Sequence, residues 1–505
     1  APCSCRRQLR PSTTMPDLLL LLPLLLILLV IVARHASRIK AIKSVLATAL
    51  SAVWNRKPRP TRIVVTDLAT ARRLLVRSSF SNRPPSNSPS AILSRRRYQN
   101  ITSAPYGRHW RAIRHNLTSE LLHPARIHQY AAARRRALRC LVEDLAHQRR
   151  MPNSVVHAAE SIRYAMFGLV ATMCFGDNLD GGHVRAMADA QRDLVRSISV
   201  ARLFAEAKIP AVARLIYRSK WKKLAALRQK QEETYLPLID SRCRHRQSSS
   251  SEPPAYVDTL INLQVPDEDE DDDDPAMLAG KAHYKPRRQR RLSDGELVGM
   301  CSELLGAGTE TTASAVQWIL ANLVKHPDEQ EAVRREINAF VAADAEQVGE
   351  EVLGKLEYLN AVIMEALRLH PPTSLAYRQV MEDDQGIHQV QGQRILAGTV
   401  VYFPLAALAR AWEDPDDFKP RRFLASDNND VKMMPFGAGR RVCPGKDIAM
   451  RHISYFVANL VREFVWNEAH GEHAVNLQPH VEFFTLMKYP LRAHLQLARP
   501  EVKTN

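Results

Sequence analysis

The sequence predicts a mainly α-helical protein with small β-sheets, and three observations lead there. Between residues 119 and 245, apolar side chains recur at three- and four-residue spacings with Arg or Lys between them, the pattern of helices that bury one stripe. Ser293-Asp294-Gly295-Glu296 has the form of a capping box and opens a second apolar-periodic stretch, Leu297–Leu323, which runs to His326-Pro327. Strand signals are short, the clearest being Thr61–Thr66 (TRIVVT) between Pro60 and Asp67.

The chain has 505 residues, with 71 Lys and Arg against 53 Asp and Glu, a formal charge of +18, and 45% hydrophobic residues. That apolar fraction is ordinary for a globular protein and excludes a wholly disordered chain. Seven Cys, none in a C-x-x-C pair, exclude a disulfide scaffold and a Cys-based zinc ribbon. Basic residues are spread along the chain, with clusters at Arg134–Arg136 and Arg287–Arg291. Zinc-finger spacing, an aromatic ribonucleoprotein motif and a basic region leading into heptads are all missing. The charge therefore reads as a solvated surface suited to docking, with no nucleic acid as partner.

Taken in order, residues 1–17 read as a leader, with Met15 a candidate start. Leu18–Ala33 is an apolar run of 16 residues broken once by Pro23. As a helix it is about 24 Å long, slightly short of the roughly 30 Å hydrocarbon core, a gap that snorkelling or bilayer thinning closes. Arg34, Arg38, Lys40 and Lys43 follow, so the positive-inside bias leaves the bulk of the chain in the cytosol. No A-x-A-like site follows the run, which favours a transmembrane signal anchor in membrane lipid over a cleaved signal. The sequons Asn100-Ile101-Thr102 and Asn116-Leu117-Thr118 then stay unmodified. Residues 34–60 form a basic linker, and Asp67 caps a helix that runs to Leu75.

Ser248–Ser251 interrupts the helical pattern. The segment 266–291 opens with eight consecutive acidic residues, Asp267–Asp274, and ends rich in Lys and Arg. It reads as a solvated loop, because a hard-cation loop needs spaced ligands and a Gly turn. The long helix carries Gly306 and Gly308 in its middle, each costing about 1 kcal/mol relative to Ala. Beside Thr309, Glu310, Thr311 and Thr312 they mean either a turn opened against a ligand or close helix packing.

The most specific segment is Pro435-Phe436-Gly437-Ala438-Gly439-Arg440-Arg441-Val442-Cys443-Pro444-Gly445. One Cys lies between glycines, behind arginines and ahead of a helix. Cations and backbone N–H groups stabilise a thiolate, and a thiolate is an axial haem ligand. The alternative is a buried free Cys.

The string matches Phe-x-x-Gly-x-Arg-x-Cys-x-Gly at every fixed position, through Phe436, Gly439, Arg441, Cys443 and Gly445. It resembles the haem-binding loop of the cytochrome P-450 family of haem-thiolate monooxygenases, of plant microsomal type. Three more motifs fit that family in order. Trp110-Arg111-Ala112-Ile113-Arg114 resembles the Trp-x-x-x-Arg whose indole and guanidinium bind a haem propionate, with Arg378 and Arg441 as further propionate contacts. Ala307-Gly308-Thr309-Glu310-Thr311-Thr312 resembles the oxygen-activation segment, with Glu310 and Thr311 as the acid–alcohol pair that delivers protons. Glu365-Ala366-Leu367-Arg368 resembles the Glu-x-x-Arg of a helix, with Arg422 from Pro420-Arg421-Arg422-Phe423 as third member of a structural network. Arg421 stands where the family usually has an acidic residue. The stretch Ala41–Arg59 is short for the family's hinge, helix and first strand.

The resemblance implies the cytochrome P-450 fold, a single large catalytic domain over 61–500 behind the anchor. It also implies heme b bound through the Cys443 thiolate and held non-covalently, since no C-x-x-C-H is present. NADPH-cytochrome reductase would supply electrons from NADPH, O2 and a small hydrophobic substrate would react, and the endoplasmic reticulum membrane would be the location. Lys432, Arg440 and Lys446 are candidates for docking the reductase. Substrate would be chosen near Pro85–Tyr106, Leu304–Ala307, Thr373–Ala376 and Phe484–Met487. The alternatives are a haem-thiolate isomerase or dehydratase needing no reductase, against which the Glu310–Thr311 pair argues, and an inactive copy.

Overall fold

The computed structural model describes residues 62–84, 100–151, 155–177, 179–197, 204, 210–245, 254–267, 288–380, 389–424, 432–471, 474–481 and 483–499. The leader, anchor and linker, and most of the acidic and basic loop, lie outside the described residues. Among the described residues no helix is long and apolar enough to cross a membrane. The helix Pro210–Ile216 groups with residues 1–59 in a unit of its own, and the account below concerns the main unit, residues 60–206 and 218–505.

That unit is mainly helical. Its principal helices are α1 (Leu68–Leu75), α2 (Arg108–Asn116), α3 (Ala131–Arg149), α4 (Ala158–Phe175), α5 (Gly181–Arg196), α6 (Arg218–His245), α7 (Asp294–Lys325), α8 (Pro327–Phe340), α9 (Glu357–Leu369) and α10 (Lys446–Glu463). The strands are β1 (Arg62–Val64), β2 (Gln264–Pro266), β3 (Gln289–Arg291), β4 (Leu375–Gln379), β5 (Gln389–Val390), β6 (Gln393–Arg394), β7 (Val400–Pro404), β8 (Phe464–Glu468), β9 (Pro479–Val481), β10 (Thr485–Met487) and β11 (Ala493–Leu497). They form one three-stranded sheet, β1-β7-β4, and four two-stranded ladders.

Helix α7 is the axis of the unit. Ser293 starts it: Glu296 Oε2 accepts from the Ser293 backbone N–H and hydroxyl, each at 2.8 Å, and Arg290 on β3 grips both Glu296 oxygens at 2.8 Å. The helix is continuous to Lys325 and is buried on most sides, so it reads as apolar all round except where it faces the site. Its most extensive packing is on α4, itself a core helix. A Cβ on Gly308 would lie 3.1 Å from Val170 Cγ2 of α4, and one on Gly306 would lie 2.7 Å from Gln191 Nε2 of α5. Close packing accounts for both glycines, and no opened turn is present at them.

Two cores result. The larger joins α2, α3, α4, α7, α9 and α10. The smaller lies between the sheet and α1, around Ile63, Leu74, Phe80, Val401, Phe403 and Met434. Asp67 starts α1, its Oδ2 accepting from the Thr70 N–H at 2.7 Å. Ile63 pairs with Val401 in parallel, and Arg378 of β4 pairs with Val401 from the other side. The chain from Met434 to Gly445 spans from the smaller core to the start of α10, and that span carries the site. Both sequon asparagines are buried and bonded, Asn100 to the Ser103 N–H at 2.9 Å and Asn116 to the Thr259 hydroxyl at 2.9 Å. In the folded chain neither amide is presented for modification.

Candidate active site

The Cys443 loop is a compact turn set by backbone bonds. Gly437 N–H donates to Met434 O at 3.0 Å, Val442 N–H to Gly439 O at 2.9 Å and Cys443 N–H to Phe436 O at 3.0 Å. Gly437 and Gly439 have φ of 71° and 72°, in the left-handed region. Gly439 has a second reason to lack a side chain, because a Cβ there would stand 1.8 Å from Leu75 O at the end of α1. Phe436 packs against the larger core. Gly445 has φ of −92°, and its backbone N–H bonds the Cys443 thiol. Burial pushes that thiol up, against the pull of the Gly445 N–H, Arg114 and Arg83. The cations that act on it are Arg114 and Arg83 rather than the loop's own Arg440 and Arg441, and desolvation outweighs them.

Gly439→Ala is expected to combine the roughly 1–2 kcal/mol left-handed penalty with a backbone collision that forces the loop off α1. Gly445→Ala would meet nothing nearer than Ile448 Cγ2 at 3.7 Å. The ratio of bound haem to protein checks this: most of it should be lost in the first variant and kept in the second.

Four guanidiniums surround the loop. Arg441, carried by the loop itself, donates to Ser81 O at 2.8 Å, Ile101 O at 2.9 Å and Ala104 O at 2.6 Å, and lies 4.4 Å over the Trp110 ring. Arg114 on α2 donates to Val442 O at 2.8 Å. Arg378 on β4 donates to Tyr377 O at 2.8 Å, and its buried Nε has no partner among the described residues. Arg83 donates to Thr102 O at 3.2 Å. The bonds these four make to described residues end on backbone carbonyls, and none of the four is ion-paired among the described residues. Burial followed by mutual repulsion pushes Arg378 and Arg441 down to about 9. Burial lowers Arg114 too, with Cys443 opposing and Arg83 adding. An arginine side chain does not give up its proton in a protein, so the shifts express an uncompensated charge that calls for an anion. Trp110 joins the cluster, its indole N–H donating to Ile101 O at 3.0 Å.

Helix α7 shows one open face within an otherwise buried helix. Ala307 is exposed, and Glu303, Leu304, Gly308 and Thr311 are half-buried, while Leu305, Gly306, Thr309 and Glu310 are buried. The open positions follow i, i+1, i+4, i+5, i+8, one side of a helix. Thr311 is on that side, with its hydroxyl donating to Ala307 O at 2.7 Å. Glu310 turns toward α4, where its Oε1 accepts from Arg163 Nη1 at 3.2 Å. Arg163 Nε lies 3.9 Å from the exposed carboxylate of Glu160. The acid–alcohol pair thus sits on two adjacent faces, with the acid linked toward the surface.

Behind the loop, α9 supplies Glu365 and Arg368, both buried. Arg368 Nε donates to Glu365 Oε2 at 2.6 Å, and Nη2 to Oε1 at 2.9 Å. Arg422 Nε and the Lys419 N–H also reach Oε1, at 3.1 and 2.8 Å. The two arginines bind the carbonyls of Ala409, Glu413, Asp414, Pro415 and Asp417. Arg421 turns away, its guanidinium 5.6 Å over the Tyr358 ring. It lines a charged surface depression of about 380 Å³ with Glu329, Glu413 and Asp414, which contains neither Cys443 nor the open face of α7.

Sequence reasoning missed Arg83, Arg163, Glu303 and Gln191. Glu303 accepts the N–H groups of Ile101 and Thr102 at 2.9 and 2.7 Å. Gln191 Oε1 collects Gln231 Nε2 at 3.0 Å and the hydroxyls of Tyr235 and Ser302 at 3.1 Å, tying α5 and α6 to α7. Each lies outside a local motif and is recognisable only through a partner distant in the chain.

The comparisons agree with this geometry. Residues 16–495 match the family model described as Cytochrome P450. The chain is 36% identical over 455 residues to Cytochrome P450 89A9 of Arabidopsis thaliana, covering 86% of this chain and 84% of that protein. It is 27% identical over 410 residues to the flavonoid 3′-monooxygenase of Arabidopsis thaliana, covering 78% and 75%. A solved zebrafish cytochrome P450 with progesterone shares the fold, with a TM-score of 0.68 at 20% identity over 90% of this chain and 98% of that one. The residues present fit a haem. A dianionic propionate edge answers four guanidiniums that have no ion pair among the described residues, gathered around a loop that carries a lone thiol. The chain belongs to the cytochrome P450 family, oxidoreductases that hold a non-covalent haem through a cysteine thiolate and typically, in plants, use NADPH through a reductase.

Proposed function

We propose that this monooxygenase oxidises a small hydrophobic compound, a plant lipid or specialised metabolite, with Cys443 as the iron ligand and NADPH-cytochrome reductase as electron donor. It would work at the endoplasmic reticulum membrane, held by Leu18–Ala33 as a single span with the catalytic domain in the cytosol. The observation that carries the reading is the open face of α7, with Thr311 on it and Glu310 beside it, joined through Glu303 and the segment from Ile101 to Ala104 to Arg441 of the Cys443 loop. Relatives named flavonoid 3′-monooxygenase support a hydrophobic organic substrate. Exposed Lys432, Arg440 and Lys446 support docking of an acidic partner, which chiefly sets encounter rate.

Bound haem supplies the reductive activation of dioxygen, one atom entering the substrate and the other leaving as water. The chain's own residues prepare that chemistry. Arg83, Arg114, Arg378 and Arg441 would neutralise the propionates through forks suited to carboxylates. The Gly445 N–H and the turn behind it hold the Cys443 sulfur in one place. Leu304 and Ala307 offer an apolar surface that excludes water from the substrate side. Glu310 would relay protons, its Oε1 bound by Arg163, which in turn lies beside the exposed carboxylate of Glu160. The Thr311 hydroxyl gives its proton to Ala307 O, and to donate toward the open side it would turn away from that carbonyl.

Reconstitution with the reductase and a screen of plant hydrophobic metabolites test the reading. Products heavier by one oxygen atom, formed only with NADPH, are expected. Glu310→Gln should lower turnover about 100-fold, the low end of what a positioned acid contributes. A product isomeric with its substrate, formed without NADPH, would place the chain with the isomerases.

A further inference from the structure

We infer that Glu303 is a positioning residue for the haem seat, acting through the peptides of Ile101 and Thr102. It rests on the family's haem and not on the proposed substrate. Glu303 sits on the open face of α7, one turn before Ala307. Its Oε2 accepts from the Ile101 N–H at 2.9 Å and its Oε1 from the Thr102 N–H at 2.7 Å. The far sides of the same segment hold the cations. Ile101 O accepts from both Trp110 Nε1 and Arg441 Nη1, at 3.0 and 2.9 Å. Thr102 O accepts from Arg83 Nη1 at 3.2 Å, and Ala104 O from Arg441 Nη2 at 2.6 Å.

The carboxylate therefore lies at the donor end of segment 101–104, and the guanidiniums lie at its acceptor end. Hydrogen bonds in such a chain polarise and orient one another. Glu303 is also the carboxylate that offsets the charge at Arg441, while Arg83 pulls on Glu303. Burial is the largest influence on it and pushes its carboxyl up, against the pull of the Thr102 side chain, the Thr102 and Ile101 N–H groups and Arg83. Two other side chains anchor this segment, Asn100 Oδ1 accepting from the Ser103 N–H at 2.9 Å and Asn82 Oδ1 from the Tyr106 N–H at 2.6 Å, and neither touches the N–H groups that Glu303 holds. Without Glu303 the Ile101–Thr102 peptide loses the acceptor of its N–H, and its carbonyl, Ile101 O, which holds Arg441 and Trp110, loses its orientation in turn. Glu303 thereby ties the helix that faces the substrate to the groups that grip the cofactor's anionic edge.

The test uses the full-length chain as native, Glu303→Ala and Glu303→Gln. Hydrogen exchange over residues 100–106 is read in the haem-free protein, and haem release is read by transfer to apomyoglobin. Loss of two charge-assisted hydrogen bonds should make both about tenfold faster in Glu303→Ala. The helical circular dichroism and the thermal midpoint should stay close to native. Glu303→Gln keeps one carbonyl acceptor and should recover part of the loss; it also stands as the test should the Ala variant fail to fold. Unchanged exchange and release would overturn the inference. So would release that rises only in step with global unfolding, or an effect confined to substrate affinity. Native protein that takes up no haem would instead overturn the family's cofactor for this chain, a separate outcome.

Discussion

Cys443→Ser is expected to remove the thiolate-type carbon monoxide difference band completely and to reduce NADPH-driven oxidation to background. The argument is local. The serine hydroxyl is smaller than the thiol and far harder to deprotonate, and an alkoxide or water ligand lacks the electron donation that a thiolate gives to favour O–O cleavage. The fold should survive, because the loop is held by backbone bonds from Gly437, Val442 and Cys443 that a serine retains. The four guanidiniums that would grip the propionates are also untouched. Haem should therefore still bind, with a changed spectrum, and absorption scans of purified native and variant protein read the difference. A variant whose difference band matches the native one would show that another residue ligates the iron.

The parts legible in the sequence are those where chemistry needs neighbours in the chain. The Cys443 loop is one, since sulfur, turn glycines and Arg441 lie within a few residues. Glu365 and Arg368 are another, one helical turn apart and bound to each other at 2.6 Å. The long helix was legible from Ser293 and Glu296 because a cap is a local device. What escaped depends on contacts between remote segments. Arg163 meets Glu310 across 147 residues, and Glu303 meets Ile101 across 202. A lone Arg in a helix or a lone Glu on another carries no sign of its partner. Trp110 shows the limit of a motif that was found. Its place beside Arg114 and Arg441 follows the pattern, yet the direction of its N–H depends on where Ile101 O lies. The two glycines of α7 were left open between ligand and packing, and only the positions of Val170 and Gln191 settle them.

Glu365→Ala should be the most destabilising single change in the folded body. Glu365 is fully buried and takes four hydrogen bonds: two from Arg368, one from Arg422 and one from the Lys419 backbone. Removing it leaves the Arg368 guanidinium buried and uncompensated, with the Arg422 guanidinium beside it. Breaking a buried pair in this way costs about 3–5 kcal/mol, against a total stability of roughly 5–15 kcal/mol for a folded domain. The loss extends beyond the pair, because Arg368 and Arg422 between them hold five carbonyls of segment 409–417. Trp412 of that segment lies under Lys432, its ring 4.5 Å from the ammonium and just ahead of the Cys443 loop, so the haem should be lost before the helical body melts. Arg368→Lys separates charge from shape, since it keeps the cation but loses the fork that reaches Glu365 and three carbonyls together. It should fall between native and Glu365→Ala in both denaturant midpoint and haem content. The arrangement would have to be judged a surface-like pair of small worth if Glu365→Ala unfolded within about 0.5 kcal/mol of the native chain.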